Sequence, residues 1–111
     1  MNKYQKKCRE TAVYPDALTD SNKELTHLTL GLCGEAGEVA NKVKRIERRQ
    51  LMLFRTTEDC RDIAEELGDT LWYLARLADA LGFDLDDIMS QNLKKTQKRY
   101  METGGVPWEK H

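Results

Sequence analysis

Residues 63–81 read IAEELGDTLWYLARLADAL, and this stretch decides the fold. Apolar side chains recur there every three or four positions, which is the spacing of one face of an α-helix. The apolar stripe consists of Ile63, Leu67, Leu71, Leu74, Ala78 and Leu81. Glu58 and Asp59 precede it where the start of a helix favours acids, and Gly82 follows it as a typical helix end. The sequence therefore predicts a long amphipathic helix that begins near Thr57.

Helical signals continue on both sides of this stretch. Ser21, with Glu24 three residues later, is a capping pair that begins a second long helix, whose apolar positions run to Ile46. Pro15 blocks continuation of a short first helix, and Gly104 ends the last one. The predicted helices cover roughly residues 3–13, 22–46, 57–81 and 84–101. Strand-like alternation is absent from every long stretch, so the sequence predicts an all-α fold.

The composition limits the classes of function. We expect one domain for a chain of 111 residues, of which 33% are charged and 40% hydrophobic. The longest apolar run, residues 51–54, is too short to cross a membrane, and it packs either locally or in a subunit contact. A net charge of −1 gives no general attraction to nucleic acid. The scattered Cys8, Cys33 and Cys60 fit free thiols, so we expect a cytoplasmic protein.

Each of the two long helices carries a pair of acidic side chains with the same spacing. Glu35 and Glu38 are three residues apart on one helix, and Glu66 and Asp69 are three residues apart on the other. On a helical wheel each pair borders its apolar stripe on the same side, so the four carboxylates can meet if the stripes pack together. Their repulsion would call for protonation or a hard multivalent cation. Ordinary solvated acids remain the alternative at this point.

The same residues resemble a known family. Residues 30–39, LGLCGEAGEV, and residues 65–74, EELGDTLWYL, are similar to the two halves of the MazG pyrophosphohydrolase signature. That signature is Glu-x-x-Glu, a variable spacer and then Glu-x-x-Asp, and here the spacer has 27 residues. Residues 4–5, 11–15 and 92–100 also resemble the family, so the similarity covers nearly the whole chain.

The resemblance implies a fold, a reaction and a set of ligands. The fold would be a four-helix bundle over residues 1–103, completed by a partner subunit in a homodimer or homotetramer, with an irregular tail over 104–111. The reaction would be Mg²⁺-dependent hydrolysis of a nucleoside triphosphate to a monophosphate and pyrophosphate, with Mn²⁺ as a possible substitute. The metal ligands would be Glu35, Glu38, Glu66 and Asp69. Glu35 or Glu38 would be the general base, and Asp62 and Glu65 on the same acidic edge are further candidates for a supporting role.

Substrate contacts are expected from polar side chains near these acids. Lys42 lies one turn beyond Glu38, and Tyr73 one turn beyond Asp69. On the last helix, the resemblance points to the phosphate-binding candidates Asn92, Lys95 and Arg99. By spacing alone, those three residues fit a solvated helix face equally well. Tyr73 could instead be a tyrosine at the edge of the core, and Trp72, off the stripe, could line a base pocket or meet a partner subunit.

Rival classes are a catalytically inactive helical interaction protein with a structural cation, a di-iron bundle and a nucleic-acid binder. The intact set of four acids disfavours the first. A di-iron bundle needs Glu-x-x-His pairs, and neither His27 nor His111 supplies one. The near-neutral net charge disfavours a nucleic-acid binder.

Overall fold

A computed structural model describes residues 1–49 and 55–106 of the chain. It contains four helices, α1 (Lys3–Glu10), α2 (Asn22–Arg48), α3 (Thr57–Ala80) and α4 (Leu85–Thr103). Within those two ranges there is no strand, which confirms the all-α prediction. No helix of this part is long and apolar enough to cross a membrane. The predictions for residues 51–54 and for most of the tail, 107–111, fall outside the described residues.

Capping side chains set the ends of the helices. Ser21 accepts the backbone N–H of Glu24 at 3.2 Å at the start of α2. Thr56 and Asp59 form a complete capping box at the start of α3, with both bonds at 3.0 Å. Gly104, with φ of 63°, ends α4 in the left-handed conformation that glycine adopts without strain. These local signals explain why the bounds of the three longer helices agree with those predicted.

The first helix is shorter than predicted and stops at Glu10 rather than near Val13. Thr11 caps it, and the Thr11 hydroxyl donates to the carbonyl of Cys8 at 3.1 Å. A threonine in this position satisfies a carbonyl at the helix end, so the chain can turn before it reaches Pro15.

An antiparallel hairpin of α2 and α3 is the largest contact in the molecule. Side chains pair across it in antiparallel order. Arg49 forms a salt bridge with Asp59 at 2.6 Å. Farther along the two helices, the ring of Tyr73 packs against α2 at Gly31. A Cβ on Gly31 would lie 2.2 Å from that ring, so only glycine allows the two helices this approach.

The four leucines of the α3 stripe are exposed. Leu67, Leu71, Leu74 and Leu81 are exposed by 54%, 43%, 37% and 52%. The side of α3 that faces α2 includes Glu66 and Tyr73. Periodicity identifies the apolar face of a helix but not the surface that covers it. The acids therefore meet although these leucines are not buried between the two helices.

Helices α1 and α4 are attached through a small core around Cys8, Ala75 and Leu85. Gln5 is fully buried, and its side chain accepts the N–H of Leu85 at 2.9 Å and donates to the carbonyl of Phe83 at 3.0 Å. Beyond this attachment most side chains of α4 are exposed, so α4 is fixed chiefly at its start. All three cysteines are unpaired.

Candidate metal centre

Three of the predicted acids meet between α2 and α3. Glu35, Glu66 and Asp69 each place one carboxylate oxygen within 4.8 Å of the other two, and we call them the acid cluster. Glu35 and Glu66 are half-buried, and Asp69 is exposed. Glu38, one turn beyond Glu35, is exposed and lies outside this group of three. The i, i+3 spacing on α3 and the antiparallel hairpin together create the cluster.

The cluster holds excess negative charge. A hydrogen bond with Glu66, followed by burial and the charges of Asp69, Glu66 and Glu38, raises the pKa of Glu35. The pKa of Glu66 is lowered, first by the ammonium of Lys42 and then by the hydrogen bond with Glu35. Of this pair, Glu35 therefore has the higher affinity for a proton, and Glu66 is the more readily ionised. Mutual repulsion of this kind is what a multivalent cation relieves.

Lys42 lies against the acid cluster from the α2 side. Its Nζ is 3.1 Å from Glu66 Oε1 and 3.0 Å from the backbone oxygen of Asp62. The hydrogen bond to Glu66 raises the pKa of Lys42. Asp62 therefore contributes a carbonyl to this corner, while Glu65 is exposed and acts on Lys42 only through its charge.

A cleft of about 340 Å³ opens beside the acids. Its lining consists of Thr11, Glu35, Asp69, Trp72 and Tyr73. The indole N–H of Trp72 donates to the Thr11 hydroxyl at 3.0 Å, and the rings of Trp72 and Tyr73 meet edge to face at 5.1 Å. We call these two rings the aromatic wall. Tyr73 is thus both in contact with α2 at Gly31 and part of the cleft.

The α4 residues predicted to bind substrate are not brought to this cleft within one chain. Asn92 and Lys95 are exposed, Arg99 is half-buried, and the lining of the cleft includes none of them. The attachment of α4 holds its start, at Leu85, against α1 and α3.

The donors of the acid cluster fit a hard divalent cation. Carboxylate oxygens are the preferred protein ligands of Mg²⁺ and Mn²⁺, and no sulfur or imidazole belongs to the group. Mg²⁺ characteristically takes only part of its coordination shell from protein and the rest from water and phosphate. Glu35, Glu66 and Asp69 could hold such an ion.

A second charged group was missed from the sequence. We call it the arginine network, and it consists of Arg9, Tyr14, Glu24, Arg76 and Asp79. Glu24 was interpreted as the acid of a capping box, yet its side chain is fully buried and points to Arg76, 52 residues away. The available signal was Arg76 itself, the one charged residue among residues 71–78.

Comparison with known proteins agrees with the signature. The MazG nucleotide pyrophosphohydrolase domain matches residues 23–103. Over 97 residues the chain is 45% identical to Gene 37 protein of Mycobacterium phage L5, an alignment that covers 86% of this chain and 84% of the phage protein. It is 34% identical over 73 residues to the uncharacterized protein YvdC of Bacillus subtilis (strain 168), covering 62% of this chain and 69% of YvdC. No solved structure matched the chain.

The chain therefore belongs to the MazG nucleotide pyrophosphohydrolase family. At the level of the family this implies pyrophosphohydrolase action on nucleoside triphosphates and a general dependence on divalent cations. Neither printed name of the two relatives states an activity or a substrate.

Proposed function

We propose that the protein is a Mg²⁺-dependent nucleoside triphosphate pyrophosphohydrolase that converts a ribo- or deoxyribonucleoside triphosphate and water to the monophosphate and pyrophosphate. The observation that carries the proposal is the acid cluster of Glu35, Glu66 and Asp69 at the mouth of a cleft with an aromatic wall. Acids suit metal-assisted chemistry on phosphates, and aromatic rings suit a nucleoside. Nucleotide-pool control or house-cleaning would be its role in the cytoplasm, where three free thiols also fit.

In this proposal the metal ligands are Glu35, Glu66 and Asp69, with Glu38 completing the set. A bound divalent cation would neutralise phosphate charge and acidify water. The water oxygen forms a bond to the α-phosphorus, the bond from that phosphorus to the bridging oxygen breaks, and pyrophosphate leaves with the electron pair. Glu35 accepts the proton from water, because the neighbouring carboxylates give it a higher proton affinity than an ordinary glutamate.

Lys42 has two partners in this scheme, Glu66 and a phosphate of the substrate. Its ammonium pairs with Glu66 Oε1 at 3.1 Å. Once a cation takes over that role, the ammonium is free to meet a phosphate oxygen of the substrate. Tyr73 and Trp72 of the aromatic wall are the expected contacts of the nucleoside.

We also propose that a second copy of the chain completes the site, as a homodimer or as a homotetramer of dimers. The exposed leucines of α3 continue onto α4 as Ile88, Met89 and Leu93, which are exposed by 37%, 49% and 60%. The radius of gyration is 17.3 Å, whereas a compact chain of this length has about 13 Å. A partner covering this surface could bring its α4 residues Asn92, Lys95 and Arg99 to the phosphates.

Sedimentation equilibrium tests the assembly. We expect a mass at least twice the 12.8 kDa of one chain, and Leu71→Glu should shift it to one chain with loss of pyrophosphate release, because a charge cannot be buried in an apolar contact without a partner. A wild-type monomer with full activity would contradict this part of the proposal and leave the chemistry untouched.

Product analysis tests the chemistry. The wild-type protein is incubated with each common ribo- and deoxyribonucleoside triphosphate, with Mg²⁺ and with Mn²⁺, and pyrophosphate is separated from orthophosphate. We expect monophosphate and pyrophosphate from at least one substrate, and Asp69→Ala or Glu38→Ala should abolish the release while the helical circular dichroism stays. Glu47→Ala, which changes an acid on the same helix as Glu38 but outside the proposed set of metal ligands, is the matched control. No pyrophosphate from any substrate would favour the inactive interaction protein with a structural cation.

A further inference from the structure

The loop between α1 and α2 contains backbone conformations that are energetically unfavourable for its residues. Asp16, Leu18 and Asp20 all have positive φ angles, of 63°, 62° and 54°, and none of them is glycine. Side chains other than glycine adopt this left-handed region at a cost, most of all a bulky one such as leucine. Three such residues within five positions require something that holds the loop in place.

Glu24 holds the loop in place through hydrogen bonds from the loop backbone. Its Oε2 accepts the backbone N–H of Leu18 at 2.7 Å, and its Oε1 accepts the backbone N–H of Asp20 at 2.9 Å. The hydroxyl of Tyr14 donates to Oε2 at 2.6 Å, and Arg76 Nη2 donates to the same oxygen at 3.2 Å. Burial alone would raise the pKa of Glu24, but these donors hold that pKa below its usual range. The carboxylate is thus ionised and surrounded by donors.

The loop in turn holds the aromatic wall at two points. Tyr14 stacks on His27 with ring centroids 4.8 Å apart and meets the ring of Trp72 edge to face at 6.0 Å. Thr11, where the loop begins, accepts the indole N–H of Trp72. That hydroxyl donates its proton to the carbonyl of Cys8, so neither the hydroxyl proton nor the indole N–H is left to donate to a ligand. Trp72 therefore offers the cleft its ring surface rather than a hydrogen bond.

We propose that Glu24 is a positioning residue for substrate binding: through Tyr14 and the loop it fixes the place of Trp72 in the wall of the cleft. The inference rests on the proposed function, since it assigns the wall to the nucleoside. Glu24 itself does not line the cleft. A misplaced wall weakens the binding of substrate, whereas the acid cluster that carries the chemistry stays intact. The expected signature is thus a change in KM with kcat preserved.

Two variants test the proposal in a Trp108→Phe background, which leaves Trp72 as the only one of the two tryptophans. Glu24→Gln keeps the shape but places an amide NH₂ among donors, and Tyr14→Phe removes only the hydroxyl. Arg9→Gln is the matched control, because the Arg9 side chain pairs with Asp79 at the exposed end of the same arginine network, 2.6 Å away, and its side-chain hydrogen bonds among the described residues all go to Asp79 rather than to the loop. Quenching of Trp72 fluorescence by acrylamide and steady-state kinetics with the best substrate are the two measurements.

We expect Glu24→Gln to raise KM by about tenfold and the quenching constant by about twofold, with kcat within about threefold of wild type. Tyr14→Phe should change both in the same direction by less, and Arg9→Gln should change neither. Wild-type quenching and KM in both test variants would overturn the proposal, and so would equal changes in Arg9→Gln, which would reduce the network to a general stabiliser.

Folding failure of Glu24→Gln leaves the decision to Tyr14→Phe, whose change is smaller. If the wild-type protein releases no pyrophosphate from any nucleotide, the proposed function fails. Quenching of Trp72 requires no turnover, so it still decides whether Glu24 fixes the wall.

Discussion

The acid cluster lies between α2 and α3, the arginine network joins these two helices to α1 and its following loop, and the two groups balance charge in opposite ways. In the network, two carboxylates meet two guanidinium groups and a tyrosine hydroxyl, and Glu24 and Arg76 are almost completely buried. In the cluster, three carboxylates share the ammonium of Lys42 and remain partly open to solvent. The arginine network, whose charges are fully paired, contributes to the structure. The acid cluster has too little positive charge, so a cationic ligand can complete its pairing.

The pKa directions follow the same division. Hydrogen bonds from Arg9, opposed by burial and helped by Arg76, hold the pKa of Asp79 below its usual range. The pKa of Glu35 moves the other way, because its nearest polar neighbours are acids. The ionised form is thus favoured for Asp79 in the arginine network and disfavoured for Glu35 in the acid cluster.

The largest expected effect comes from breaking the arginine network. Glu24→Ala leaves Arg76 buried with less negative charge, and we expect the free energy of unfolding to fall by about 3 kcal/mol. Glu66→Ala in the acid cluster should change it by less than about 1 kcal/mol, because it also removes repulsion. Urea denaturation followed by circular dichroism, at one chain concentration and without metal, measures both. Equal losses in the two variants would end the distinction between the two charged groups.

Two glycines of α2 allow a sharper, intermediate test. A Cβ at Gly31 would meet the Tyr73 ring at 2.2 Å, whereas a Cβ at Gly34 would meet nothing within 4 Å. Gly31→Ala should cost about 1–3 kcal/mol of stability and raise KM, since Tyr73 must move. Gly34→Ala should gain about 0.5–1 kcal/mol from helix propensity alone. Thermal melts of the two variants side by side provide the comparison, and a shift of the same sign in both would argue against close packing at Gly31.

The smallest expected effect is the pH dependence of Glu35. Its folded pKa is raised, so folding favours the protonated side chain, and stability is lost as the pH rises through the usual glutamate value and then the folded one. Glu35→Gln removes that loss. We expect its melting temperature to exceed that of wild type by up to about 3 °C at pH 7 and by less at pH 4, without metal. Mg²⁺ should then raise the melting temperature of wild type more than that of the variant. A difference that does not change with pH would refute the assignment of the raised pKa.

Local chemistry explains what the sequence could predict. Ser21, Thr57 and Gly104 lie at or next to helix ends in the structure, and the i, i+3 spacing of Glu66 and Asp69 was enough to place them together. These features depend on neighbours in sequence, and so a pattern reveals them.

What the sequence could not predict depends on distant partners. The role of Glu24 is decided by Arg76 on another helix, and no periodicity reports such a pair. Leu67 and Leu71 were identified as part of an apolar face, but what covers that face stayed open, because a wheel cannot distinguish a neighbouring helix from a surface outside the chain. The position of Asn92 and Lys95 likewise follows from how the start of α4 is attached rather than from their spacing.

The way in which Glu24 holds its loop has a consequence for how this protein can vary and be redesigned. The carboxylate grips Leu18 and Asp20 by their backbone N–H groups, which every residue except proline possesses. The hydrogen bonds to Glu24 therefore do not depend on which side chains these loop positions carry. Glycine at position 18 should relieve the left-handed strain. Other residues could be exchanged there to recognise a new ligand, while the aromatic wall keeps its position.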